Sequence, residues 1–186
     1  MIIAIEAEDG NLGAAYNRAM EIDPDPFTTF IDQDVLLKTH NNARDIINVV
    51  KIKYPETALF SCYTNSSGLK YQVPQDSFSP SRINTIEGHQ KLAKKLWEAH
   101  KFNAPIVNKP MSGYLMVINK EAWRQVDGFP DGFHNVDHEF CEKLIAANLP
   151  IRFIRGLYVY HLRDRSQGSW IEGFKTGKEL WDQRKR

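Results

Sequence analysis

The sequence predicts an α/β fold in which a mostly parallel central sheet is flanked by helices on both faces. Three observations carry this expectation. Short β-branched or aromatic runs recur along the chain, as at residues 2–5, 27–31, 58–63 and 114–118. Between them lie stretches whose apolar residues repeat at helical spacing, and strands alternating with helices build parallel sheets covered on both sides. The 186 residues, 42% hydrophobic and 25% charged, suffice for one domain with its own core.

Residues 2–5 read as a buried strand that ends in acids and Gly10. Asn11 is placed to cap a helix whose apolar face is Leu12, Ala15, Tyr16 and Ala19. Asp23-Pro24-Asp25-Pro26 ends it, because proline cannot continue a helix and disfavours helical geometry just before itself. Residues 27–31 form a second strand with Asp32-Gln33-Asp34 at its carboxyl end, where open α/β sheets gather ligands. Residues 39–50 read as an amphipathic helix with Ala43, Ile46, Ile47 and Val50 on one side, and 58–63 as a strand. Residues 65–82, rich in Ser, Gly, Pro and Gln, have the composition of a long mobile loop of the kind that serves as a lid or binding loop.

A helix over 85–100 carries the stripe Ile86, His89, Leu92, Ala93, Leu96 and Trp97. A strand at 114–118, a short helix at 120–126 and a turn-rich stretch at 128–132 follow, then a helix at 136–147 with Phe140, Leu144 and Ile145 inward. Residues 151–154 and 158–160 read as two short strands, and from Trp170 the chain reads as a basic helix or frayed end. The expected organisation is a domain over 1–165 and a tail over 166–186, with no internal repeat.

The formal net charge of +1, from 24 basic and 23 acidic residues, offers no field for a polyanion, so nucleic acid is not an expected partner. Cys62 and Cys141 lack metal-type spacing and fit two buried thiols in a reducing compartment. The first residues lack the basic start and apolar length of a signal peptide, and no run approaches the ~20 apolar residues of a membrane span. A cytoplasmic protein without a membrane span is expected.

Acid-x-acid pairs are common here: Glu6/Glu8, Glu21/Asp23, Asp23/Asp25, Asp32/Asp34 and Asp137/Glu139. Context singles out Asp32 and Asp34, which follow an apolar run, where two like charges repel unless a cation or donors compensate. Mg²⁺ or Mn²⁺ would do so, since both take carboxylate oxygens and reach phosphate oxygens through them. A solvated turn after a strand is the plainer account. His161 ends the run Tyr158-Val159-Tyr160 and could add an imidazole ligand, although a lone histidine there is more often structural. Asp137 opens the 136–147 helix, where it could cap the backbone, but Phe140 occupies the position that a capping box gives to Glu or Gln.

The order of these pieces resembles a family. Asn11-Leu12-Gly13-Ala14-Ala15-Tyr16-Asn17-Arg18-Ala19, Phe30-Ile31-Asp32-Gln33-Asp34, Ser112-Gly113, Val126-Asp127-Gly128-Phe129, Val136-Asp137-His138-Glu139-Phe140-Cys141 and His161 resemble the GT-A-fold glycosyltransferases, most closely family 2. The resemblance spans roughly residues 1–162 and starts at that family's second strand unit, which implies an N-terminally shortened GT-A fold. It further implies a metal-dependent, inverting transfer of a sugar from a nucleotide-diphosphate sugar to a glycan or other hydroxyl acceptor. By resemblance Asp32 would contact the nucleotide ribose and share the metal, Asp34 would hold Mn²⁺ or Mg²⁺ between the phosphates, and His161 would be a further metal ligand. Asp137 would be the catalytic base. Glu139, Gly113 and Asn17 would contact substrate. Val136 stands where the family carries a Glu.

Two other classes fit parts of the pattern. A non-catalytic nucleotide-sugar or glycan binding module of the same fold would keep the binding residues alone. A metal-dependent nuclease or phosphohydrolase also clusters acids at strand ends, but many such nucleases need Asp-x-Lys or Glu-x-Lys, which is absent from the sequence. The shortened start would leave an open strand edge that a homo-oligomer could cover.

Overall fold

The computed structural model describes residues 2–5, 7, 9–37, 42–75, 78–80, 83 and 85–162. The first helix begins as its sequence requires: Asn11 Oδ1 accepts from the Ala14 N–H at 2.9 Å, filling one of the donors a helix start leaves open. This helix, α1 (Leu12–Ile22), joins β1 (Ile2–Ala4) to β2 (Phe27–Ile31) and stops at Asp23, ahead of the prolines. There follow β3 (Val35–Leu36), α2 (Ala43–Lys53), β4 (Leu59–Thr64), a 3-10 turn (Lys70–Gln72), α3 (Ile86–His100), β5 (Leu115–Asn119), α4 (Lys120–Gln125), α5 (Val136–Ala146) and β6 (Ile151–His161).

The described strands form one sheet in the order β1-β2-β5-β4-β6-β3. It is mixed, which corrects the expectation of a mostly parallel sheet. β1 with β2 and β4 with β6 pair in parallel, whereas β5 opposes both β2 and β4, and β3 opposes β6. Intervening helices set the layers, but direction depends on where the chain re-enters the sheet. β5 re-enters at the end where β2 finishes, with Leu115 opposite Ile31.

The two short strands expected at 151–154 and 158–160 are also corrected: β6 is one strand of 11 residues. A register shift opposite Cys62 and Tyr63 absorbs residues 155–157, and Gly156 passes so close to the Lys101 carbonyl that any side chain would collide. The 65–82 loop is also less open than its composition suggests, since Gln72 is fully buried. α2 is described from Ala43, and the expected tail lies outside the described residues.

Apolar side chains fill both faces. On one, Tyr16 and Met20 of α1, Ala122 of α4 and Phe140 and Leu144 of α5 pack on Phe30, Met116, Ile118 and Leu59. On the other, Ala43, Ile46, Ile47 and Val50 of α2 pack on Phe60, Leu115, Val117 and Ile154, and Leu92, Ala93 and Leu96 of α3 cover Tyr158. Each fully buried aromatic or aliphatic side chain contributes about 1.5–3 kcal/mol. No described helix is long and apolar enough to cross a membrane.

Candidate metal and substrate site

β2, β4 and β6 finish at the end of the sheet where β5 begins, so residues that follow or precede these strands converge there. Asp32 and Asp34 stand in the turn after β2, closed by the Val35 N–H donating to the Asp32 carbonyl at 3.0 Å. β3 then pairs back on the end of β6, with Val35 opposite His161 and the Leu162 N–H donating to the Asp34 carbonyl at 2.9 Å. This short antiparallel ladder carries the imidazole to the carboxylates. His161 Nε2 lies 3.1 Å from Asp34 Oδ1 and 3.6 Å from Asp32 Oδ2, and its side chain is 4% exposed against 33% and 39% for the two acids.

One ligand atom from each of the three residues fits within a mutual distance of 4.8 Å. Donors around one Mn²⁺ or Mg²⁺ lie no more than about 4.2 Å apart, so a small shift of the half-buried carboxylates would let all three residues hold one ion. Two carboxylate oxygens and an imidazole nitrogen suit Mn²⁺, and the oxygens alone suit Mg²⁺. His161 Nδ1 is buried without a hydrogen-bond partner, whereas metal-bound histidines ordinarily donate that second N–H.

A cavity of about 110 Å³ adjoins this cluster and brings Asp32 and His161 together with Gly113 and Asp137. Tyr16, Ser67, Ser112 and Tyr114 also line it, and the Ser67 and Ser112 hydroxyls share a hydrogen bond at 3.0 Å. The space admits the reacting part of a ligand but falls below the ~300 Å³ of a pocket that encloses a whole one. Asp137 sits in the first turn of α5, at the positive end of the helix dipole. Its Oδ2 accepts from the Gly113 N–H at 2.6 Å and its Oδ1 from the His138 N–H at 2.9 Å. Burial, then the charges of Asp32 and Asp137, push the Tyr16 hydroxyl far above its ordinary pKa, so it stays protonated.

An aromatic stack fixes these elements against one another. Tyr16 lies 4.6 Å from Phe129, and Phe129 lies 4.1 Å from Phe140, both stacked, while Tyr16 meets Phe30 edge-on at 5.0 Å. It thereby links α1, the 128–132 turn, α5 and β2. Gly13 completes the packing, since a side chain there would collide with the Pro130 carbonyl.

The chain matches no family model and no curated protein.

Of the residues singled out from sequence, Asp32, Asp34, His161, Asp137 and Gly113 come together. Asn17 does not join them. Its carboxamide holds the 128–129 turn, accepting from Phe129 N–H at 2.8 Å and Trp123 Nε1 at 2.9 Å and donating to the Phe129 carbonyl at 2.9 Å. Glu139 is exposed and is not among the cavity-lining residues. Arg152 is bound to Glu56, Thr57 and the Ala104 carbonyl.

Sequence reasoning missed Gln72, whose Nε2 donates to Ser61 and Tyr114 hydroxyls at 3.2 and 3.0 Å while its Oε1 accepts from Ser112 N–H at 2.8 Å. A glutamine inside a polar loop carries no signal of such burial.

Proposed function

We propose that the chain is a metal-dependent glycosyltransferase of GT-A type, moving a sugar from a nucleotide-diphosphate donor to an acceptor hydroxyl with inversion. The single observation carrying this reading is the meeting of Asp32, Asp34 and His161 beside a cavity that also holds Asp137. In this reading Asp34 and His161, with Asp32, hold Mn²⁺ or Mg²⁺, which neutralises the departing diphosphate when bound. Asp137 takes the proton from the acceptor hydroxyl as its oxygen bonds to the anomeric carbon and the bond to the diphosphate breaks. Both Asp137 oxygens already accept a backbone N–H, which fixes the carboxylate and leaves further lone pairs for the hydroxyl. In this reading Tyr16, Ser67, Ser112 and Gly113, which line the cavity, surround the reacting centre.

The decisive experiment screens nucleotide sugars with and without Mn²⁺ and reads both binding and released nucleoside diphosphate. Metal-dependent release in the presence of an acceptor supports the enzyme. Saturable binding without release supports a non-catalytic module of the same fold, and cleavage of nucleic acid without either supports the phosphohydrolase class.

A further inference from the structure

We propose that Asn65 is the positioning residue for His161, clamping its backbone so that the imidazole meets Asp32 and Asp34. The inference rests on the metal reading of that cluster. Along a strand, successive N–H and C=O pairs point alternately to the two neighbouring strands. At the end of β6 the Leu162 N–H turns toward β3, where it donates to Asp34, so the His161 pair turns toward β4. β4 has by then ended at Thr64, whose register partner is Val159.

The side chain of Asn65 takes over. Its Oδ1 accepts from the His161 N–H at 2.6 Å and its Nδ2 donates to the His161 carbonyl at 2.9 Å, so one carboxamide replaces the missing stretch of strand. The Thr64 hydroxyl donates to the same Oδ1 at 3.2 Å, holding the carboxamide in place. Without it, a donor and an acceptor at a 3% exposed residue would lose their partner.

The clamp matters because the usual restraint on a metal-binding histidine is missing. Nδ1 has no partner, so no outer hydrogen bond sets the ring orientation. The backbone is pinned between Asn65 on one side and β3 on the other, and from that anchor the ring lies against Tyr114 with Nε2 toward Asp32 and Asp34. Asn65 is not among the cavity-lining residues and touches no reacting atom in this scheme.

The test uses the full chain, Mn²⁺ alone as ligand, and pulsed electron paramagnetic resonance to read the imidazole ¹⁴N coupling to bound Mn²⁺. Asn65→Ala is expected to weaken Mn²⁺ about tenfold to a hundredfold, the range for lost support of a ligand, and to diminish the ¹⁴N coupling. In a His161→Ala background the same change is expected to have no further effect. Asn65→Ser, which cannot span both backbone groups, is expected to reproduce the loss if Asn65→Ala folds poorly. Unchanged affinity and coupling in a folded variant, or an equal loss without His161, overturns the inference while leaving the metal reading intact. Absence of Mn²⁺ binding by the unaltered chain overturns both.

Discussion

The Gly113 N–H donates to Asp137 Oδ2 at 2.6 Å, and a Cβ on Gly113 would lie 3.2 Å from that same oxygen. The glycine thus holds the carboxylate by being small. Gly113→Ala is expected to cost about 1–3 kcal/mol of stability, as overpacking does, and to slow transfer while Mn²⁺ affinity stays within twofold. Urea titration and a diphosphate-release assay check both parts.

Asp34→Ala removes the carboxylate closest to His161. Mn²⁺-dependent donor binding is expected to disappear in calorimetry. Retained metal-dependent affinity would move the cation elsewhere.

Asp137→Asn keeps an oxygen for the Gly113 N–H but cannot take a proton. Turnover is expected to fall about 10²- to 10⁴-fold, the usual share of a general base, with donor affinity unchanged. Normal turnover would assign the base to another group.

Asn17→Ala leaves the Trp123 Nε1 and Phe129 N–H donors without their acceptor. The loss is expected to be about 2–4 kcal/mol in denaturant unfolding, given the usual cost of orphaned buried donors. A change in donor affinity at constant stability would instead restore Asn17 to the substrate site.

His89 lies buried with Nδ1 2.7 Å from the Tyr158 hydroxyl and its ring 4.3 Å from that of Tyr160. Burial lowers its pKa, opposed by a hydrogen bond to the Ile83 backbone. Below the unfolded value of about 6.5 the unfolded chain takes up a proton that the folded chain refuses. Stability is therefore full above that value and is lost as pH falls through the lowered folded pKa. The drop in Tm between pH 7.5 and 5.5 is expected to be smaller in His89→Gln than in the parent.

Much of this was readable in the residues, for identifiable reasons. α1 and β2 lay open because Asn11 and Asp23-Pro24-Asp25-Pro26 punctuate the chain sharply, and β2 matches its expected bounds. The reversal of β5 was not readable, because a strand's own pattern is the same in either direction. Gly156 reads as a break between two strands, although it serves a close approach within one. Asp32, Asp34 and His161 could be singled out because each follows or ends an apolar run, but their meeting depends on the β3 pairing, and Val35-Leu36 is too short to announce itself. The side-chain amides Asn17, Asn65 and Gln72 carry no mark in sequence of what they hold.

The sheet order places β6, last of the described strands to leave the ribosome, between β4 and β3 rather than at a margin. A nascent chain therefore carries both carboxylates through some 130 residues of synthesis before their imidazole emerges, as the numbering of Asp32, Asp34 and His161 requires. A cation held by all three residues would stabilise only a chain in which β6 has joined the sheet, by mass action.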